Sequence, residues 1–161
     1  AHELWLRVFR EVAKEYAGIE AVHAYVDALA MYMVQDPSQM HVVVTCNLFG
    51  DILTDIGAAL QGGLGMACSA NLHPGQRIGL FEPVHGSAPP LAGKDVANPF
   101  ASFLTVGLMM GHFGHPELDA LGESCVRDAV AAKECTRDVG GALGTREAAE
   151  RCLARVAAKL G

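Results

Sequence analysis

Near the start of the chain, apolar residues recur every three or four positions. Leu4, Leu6, Val8, Phe9 and Val12 are interleaved with Arg7, Arg10, Glu11, Lys14 and Glu15. That spacing predicts a helix with one buried stripe, ended by Gly18. Residues 19–25 alternate around β-branched side chains and predict a short strand. Residues 27–34 and 48–60 predict helices that are apolar on most faces and need cover nearly all round, as a second subunit would supply. Between them lie a turn at Asp36-Pro37-Ser38 and the β-branched run His41-Val42-Val43-Val44-Thr45, which predicts a buried strand. Asn47 stands where a helix cap belongs.

Gln61-Gly62-Gly63-Leu64-Gly65 breaks the pattern and marks a boundary or hinge. Residues 66–72 and 78–84 predict strands joined by the turn residues His73-Pro74-Gly75-Gln76. Residues 85–98 form a loop rich in Gly, Pro and Ala, long enough to be functional or disordered by default. Helices follow over 100–113, with Pro99 suited to the first turn, and from Pro116 to about Lys133. A last helix is capped by Thr145, with Glu147 and Glu150 near its positive end. Strands alternate with helices throughout, so the fold class is α/β. No internal repeat is present.

Composition narrows the function classes. Of 161 residues, 51% are apolar and 19% charged, enough for a real core. Twelve basic against 18 acidic residues give a net charge of −6, which argues against nucleic acid or an anionic membrane as partner. No apolar run approaches the ~18–20 residues of a bilayer span. The five cysteines are odd in number and widely spaced, which excludes paired metal knuckles and argues against a disulfide scaffold. They point to a reducing, cytoplasmic compartment. The first residues lack the pattern of a signal peptide, and a chain that opens without Met into a helical pattern reads as a fragment or a trimmed protein.

The strongest chemical signal is Asn47-Leu48-Phe49-Gly50-Asp51-Ile52-Leu53-Thr54-Asp55. Asp51 and Asp55 share one helix face about a turn apart, among apolar neighbours. Two like charges in such a setting call for a divalent cation, and hard oxygen donors favour Mg²⁺ or Mn²⁺ over Zn²⁺. Capping by Asp51 and solvation of Asp55 would explain the same pattern. Asp27 is a third isolated acid at a strand-to-helix junction, where capping alone would also account for it. The glycine-rich loop lacks both the dinucleotide fingerprint and the P-loop pattern. Its small residues would let backbone approach a ligand, His85 could stack on a flat ring and Asn98 could hydrogen-bond one; a purely structural loop fits equally.

The 47–55 segment resembles the metal-site helix of the β-decarboxylating dehydrogenases, a family that includes 3-isopropylmalate, isocitrate, homoisocitrate and tartrate dehydrogenases. Phe81-Glu82-Pro83-Val84-His85-Gly86-Ser87-Ala88-Pro89, followed by Ala92-Gly93-Lys94 and Ala97-Asn98-Pro99, resembles the family's adenine-side cofactor loop. Asp138-Val139-Gly140-Gly141 with Thr145 resembles its C-terminal element, and Tyr25-Val26-Asp27 resembles a segment bearing another metal ligand. The resemblance covers essentially the whole chain and is nearest to 3-isopropylmalate dehydrogenase.

The resemblance implies the C-terminal part of a two-domain enzyme. Residues 1–61 would be the tail of the dimerising, metal-binding domain and 62–161 the returning part of the cofactor domain. It implies NAD and Mg²⁺ or Mn²⁺ as cofactors, a small 2-hydroxy acid as substrate, and a homodimer with a shared active site. Asp51 and Asp55 would hold the metal together with Asp27 from the partner chain, and these three acids would be the catalytic set in this segment. His85, Gly86, Ser87, Ala88, Pro89, Asn98 and Asp138 would contact the cofactor. The family's basic cluster, catalytic tyrosine and lysine lie upstream of anything present here, so these residues alone are expected to be inactive. Pro90 departs from the pattern: NAD-dependent members usually carry an acid there to hold the ribose. A stand-alone, non-catalytic binding or oligomerisation module derived from the family is the alternative reading.

Overall fold

The computed structural model describes residues 2–161. They divide into two compact units, Ala1–Leu53 and Thr54–Gly161. Among the described residues no helix is long and apolar enough to cross a membrane.

The first unit is helical. Helix α1 spans His2–Ala13, α2 spans Val26–Gln35, and α3 begins at Asn47 and runs on to Leu60. The apolar stripe of α1 is present at the expected period, yet the helix has no buried residue, and Leu4, Trp5, Val8 and Val12 all lie exposed. Residues 19–25 and 41–45, expected as strands, are not strands. β-Branched runs favour extended backbone, but a strand also needs a neighbour to take its amides and carbonyls. The only strand pair among the described residues lies elsewhere in the chain. Val42 is 92% exposed, so this run is not the buried strand its composition suggested. Asn47 is the first residue of α3 rather than its cap.

The second unit holds the core. Strands β1 (Cys68–Leu72) and β2 (Gly79–Pro83) pair antiparallel with Cys68 opposite Pro83 and Leu72 opposite Gly79. The first expected strand begins two residues late, because Leu64–Met66 forms a short 3-10 turn. Three helices follow: α4 (Phe100–His112), α5 (Pro116–Ala131) and α6 (Thr145–Leu160). Helix α4 packs against both strands and against α5, and α5 packs on α6.

Glycine sets the approach of α4 and α5. A Cβ on Gly107 would stand 3.1 Å from Asp119 Oδ1 and 3.3 Å from its Cα, tighter than ordinary packing. Phe100, Cys125, Val126, Ala129, Cys135 and Cys152 form the buried cluster, with Met66, Phe103, Leu121 and Val156 packed around it. Burying a Phe side chain is worth ~1.5–3 kcal/mol, so Phe100, fully buried, anchors this cluster. The cysteines behave as small apolar residues, and all five are free thiols. Burial pushes the Cys152 thiol up to about 11.

The last helix starts differently from expectation. Its cap position is Gly144, which has no side chain to offer. The Thr145 hydroxyl instead donates to the carbonyl of Ala97 at 2.6 Å. Glu147 lies in the first turn and pairs with Arg151 at 3.3 Å.

Candidate functional site

Helix α3 carries the acidic pair. Its period of 3.6 residues sets Asp51 and Asp55 one above the other. Both are exposed, so a single chain does not bury them among apolar neighbours as the sequence suggested. The flanking apolar residues Leu48 and Ile52 are themselves exposed. The Asn47 side-chain amide donates to Asp51 Oδ2 at 3.1 Å across the first turn. Two carboxylates on an open face suit a hard divalent cation that keeps several waters. Asp27 lies in the first turn of α2 and is also exposed; its Oδ1 accepts from the amide of Ala28 at 2.9 Å, while Tyr25 holds the cap position. Among the described residues no three His, Cys, Asp or Glu side chains come together to hold a metal ion.

The glycine-rich loop leaves β2 and ends at α4. His85 is half-buried, and its Nδ1 lies 3.0 Å from the carbonyl of Gly86. A carbonyl only accepts, so Nδ1 carries the proton and Nε2 is left as an acceptor. A Cβ on Gly86 would meet nothing within 4 Å, so packing inside the chain does not demand glycine there. Ser87 is exposed, and Ala88 stands in left-handed backbone at φ 41°. Ala88 caps a short 3-10 turn over Pro89–Leu91. Pro89 and Pro90 are exposed, and Pro90 offers neither an amide proton nor a side-chain acceptor.

Asn98 and Asp138, 40 residues apart, come together. Asn98 Nδ2 donates to Asp138 Oδ2 at 2.9 Å and sits 3.5 Å from Met66 Sδ. Asn98 Oδ1 accepts from the amide of Phe100 at 2.9 Å and so caps the entry to α4. The donor side of this amide is therefore used inside the chain, and what it retains is a second lone pair on Oδ1. The other Asp138 oxygen accepts from the Thr136 hydroxyl at 2.5 Å. Gly65 makes this possible: a Cβ there would stand 2.6 Å from that of Asn98. The two glycines after Asp138 are structural. Gly140 is left-handed at φ 87°, and a Cβ on Gly141 would overlap the Cys135 carbonyl oxygen.

Sequence reading missed Thr136, which is fully buried and orients Asp138. It also missed the use made of Asp95, whose Oδ1 accepts from the amide of Arg146 at 3.0 Å. The Thr136 contact is local, a Thr two residues before an Asp, whereas the Asp95–Arg146 contact spans 51 residues and has no local signature. An apolar groove of about 420 Å³ lies elsewhere in this unit, lined by Phe103, Val106, Met110, Leu121, Leu153 and Val156 among others. No charged side chain lines it, so it is not the chemical site.

A family profile described as isocitrate/isopropylmalate dehydrogenase matches residues 1–152. The chain is similar to a 3-isopropylmalate dehydrogenase of Frankia casuarinae, 46% identical over 160 residues, which covers 98% of this chain and 46% of that protein. It is similar to a probable tartrate dehydrogenase/decarboxylase of Bacillus subtilis, 43% identical over 97% of this chain and 44% of the relative. Among solved structures, an isocitrate dehydrogenase from Methylococcus capsulatus aligns with a TM-score of 0.89 at 42% identity, over 96% of this chain and 46% of its own. The chain thus spans less than half the length of the relatives it matches.

Proposed function

The chain belongs to the isocitrate/isopropylmalate dehydrogenase family, and from that membership we propose that it carries the metal-binding acids and the adenine-side cofactor loop of an NAD-dependent decarboxylating dehydrogenase. The substrate is a small 2-hydroxy acid, with 3-isopropylmalate the first candidate. The observation that carries this reading is the pair Asp51 and Asp55, one turn apart on an exposed face of α3.

In this proposal the carboxylates of Asp51 and Asp55 hold Mg²⁺ or Mn²⁺, completed by Asp27 of the partner subunit. Bound there, NAD would supply a hydride acceptor and the divalent cation Lewis-acid chemistry for an oxidation followed by loss of CO₂. The residues of this chain bind and orient. Asn47 donates to Asp51 Oδ2 and helps to orient that carboxylate. The open space over Gly86 and the small side chain of Ala88 leave room for the adenosine, and the His85 ring offers a flat surface with Nε2 as acceptor. Asp138 and Thr136 hold Asn98 in one orientation beside this loop. Residues 1–61 serve the dimerising domain and 62–161 the cofactor domain.

A shared site needs a second copy. Exposed apolar side chains on α2 and α3, among them Tyr32, Val34, Leu48 and Ile52, support a two-fold dimer through these helices. The reading is tested in the whole protein by following NADH formation with 3-isopropylmalate, isocitrate, homoisocitrate and tartrate in turn. One of the four supports turnover that a chelator abolishes. Lewis-acid action is worth several kcal/mol, so Asp55→Asn lowers kcat/KM by at least about a hundredfold. Turnover that ignores both chelator and substitution would overturn the assignment.

A further inference from the structure

We infer, on the footing of the cofactor-loop reading above, that Asp95 is a positioning residue that clamps the 85–98 loop to the first turn of α6 and so holds His85, Gly86 and Ala88 in place for NAD. The first amides of a helix have no partner within it, and a side chain at the cap position ordinarily accepts from the second or third. The cap position of α6 is Gly144 and has no such side chain. Arg146, the second residue of the helix, donates its amide to Asp95 Oδ1 at 3.0 Å, from a residue 51 positions upstream. The amide of Thr145 donates to the Asp95 carbonyl at 3.1 Å, and the Thr145 hydroxyl donates to that of Ala97 at 2.6 Å. The cap that α6 lacks locally is supplied by the cofactor loop.

Two further features fit this role. A Cβ on Gly144 would overlap Asp95 Oδ2, so glycine at the cap position is what admits the carboxylate. Asp95 itself stands in left-handed backbone at φ 54°, which Asp and Asn tolerate better than most residues. Its charge also faces the positive end of the α6 dipole. The far end of the loop is also held by the Asn98–Asp138 bond; the backbone hydrogen bonds before it are turns within the loop: Leu91 to Ala88 at 2.9 Å, Ala92 to Pro89 at 3.2 Å and Lys94 to Leu91 at 3.2 Å. They shape the loop but do not anchor it.

The test uses two variants of the full chain and two readouts, amide hydrogen exchange and calorimetric titration with NAD. Asp95→Gly accepts the left-handed backbone without strain and removes the carboxylate, with an added backbone freedom confined to the loop. It speeds exchange at Arg146, Leu91, Ala92 and Lys94 and weakens NAD binding, each by roughly 2- to 30-fold, the range for loss of a helix cap. Asp95→Asn keeps an acceptor and tolerates the backbone, so both readouts stay within about twofold of the parent. Unchanged exchange at Arg146 in Asp95→Gly would overturn the clamp. Faster exchange with NAD affinity unaltered would overturn its positioning role. A parent protein that binds no NAD would overturn the cofactor reading and the positioning role with it, and exchange alone would then decide whether the clamp exists.

Discussion

Pro90 stands exposed in the turn that follows Ala88, and under the proposed reading of this loop as a cofactor site a carboxylate there would meet the ribose hydroxyls of NAD. A hydrogen bond to a charged acceptor is worth ~1.5–3 kcal/mol, so Pro90→Asp tightens NAD binding by roughly 10- to 150-fold. Calorimetry on the two proteins checks this, and equal affinities would place the ribose elsewhere. A different residue sets an alkaline limit. Burial holds the Cys152 thiol protonated up to about 11. The unfolded chain ionises the same thiol near ~8.5. The stability that this group contributes is therefore complete below about pH 8.5 and is lost as pH rises through about 11. Urea unfolding from neutral to alkaline pH falls more steeply for the parent than for Cys152→Ala, which has no thiol to ionise. Parallel curves would remove Cys152 from the account.

Among the elements, the turn over residues 135–141 ties α5, α6 and the loop's last residues together. A Cβ on Gly141 would overlap the Cys135 carbonyl, and backbone cannot move aside as a flexible side chain can. Gly141→Ala is expected to cost about 1–3 kcal/mol, the range for overpacking. The urea midpoint reads this loss, and an unchanged midpoint would contradict the packing described. All six helices were legible in the sequence, because their apolar residues repeat at helical spacing and Gly or Pro marks most of their ends. The strands at 68–72 and 79–83 were legible for the same local reason, flanked by turn residues. The runs at 19–25 and 41–45 misled, because β-branched composition reports a preference for extended backbone and says nothing of a partner strand. In the candidate site, Asp51, Asp55 and the 85–98 loop stand out in the sequence as local motifs. The contacts of Asp95 with Arg146 and of Asn98 with Asp138 join residues 51 and 40 positions apart, and no local pattern encodes them.

The molecule as a whole exposes more apolar surface on α2 and α3 than a lone chain has reason to keep: Met31, Tyr32, Val34, Leu48 and Ile52 all face solvent. A copy of the chain laid across these helices would cover them, as the proposed dimer requires. Leu48→Glu places a charge in that interface and is expected to shift the protein from dimer toward monomer in sedimentation at micromolar concentration, with unaltered association as the contrary result. The central claim is oxidation coupled to decarboxylation at a metal held by Asp51 and Asp55. Its most direct measurement is the CO₂ released per NADH formed by the whole protein, with Mn²⁺ and then with a chelator. The account predicts one CO₂ for each NADH, and neither once the metal is removed. NADH formed without CO₂, or a yield of both that survives chelation, would contradict it.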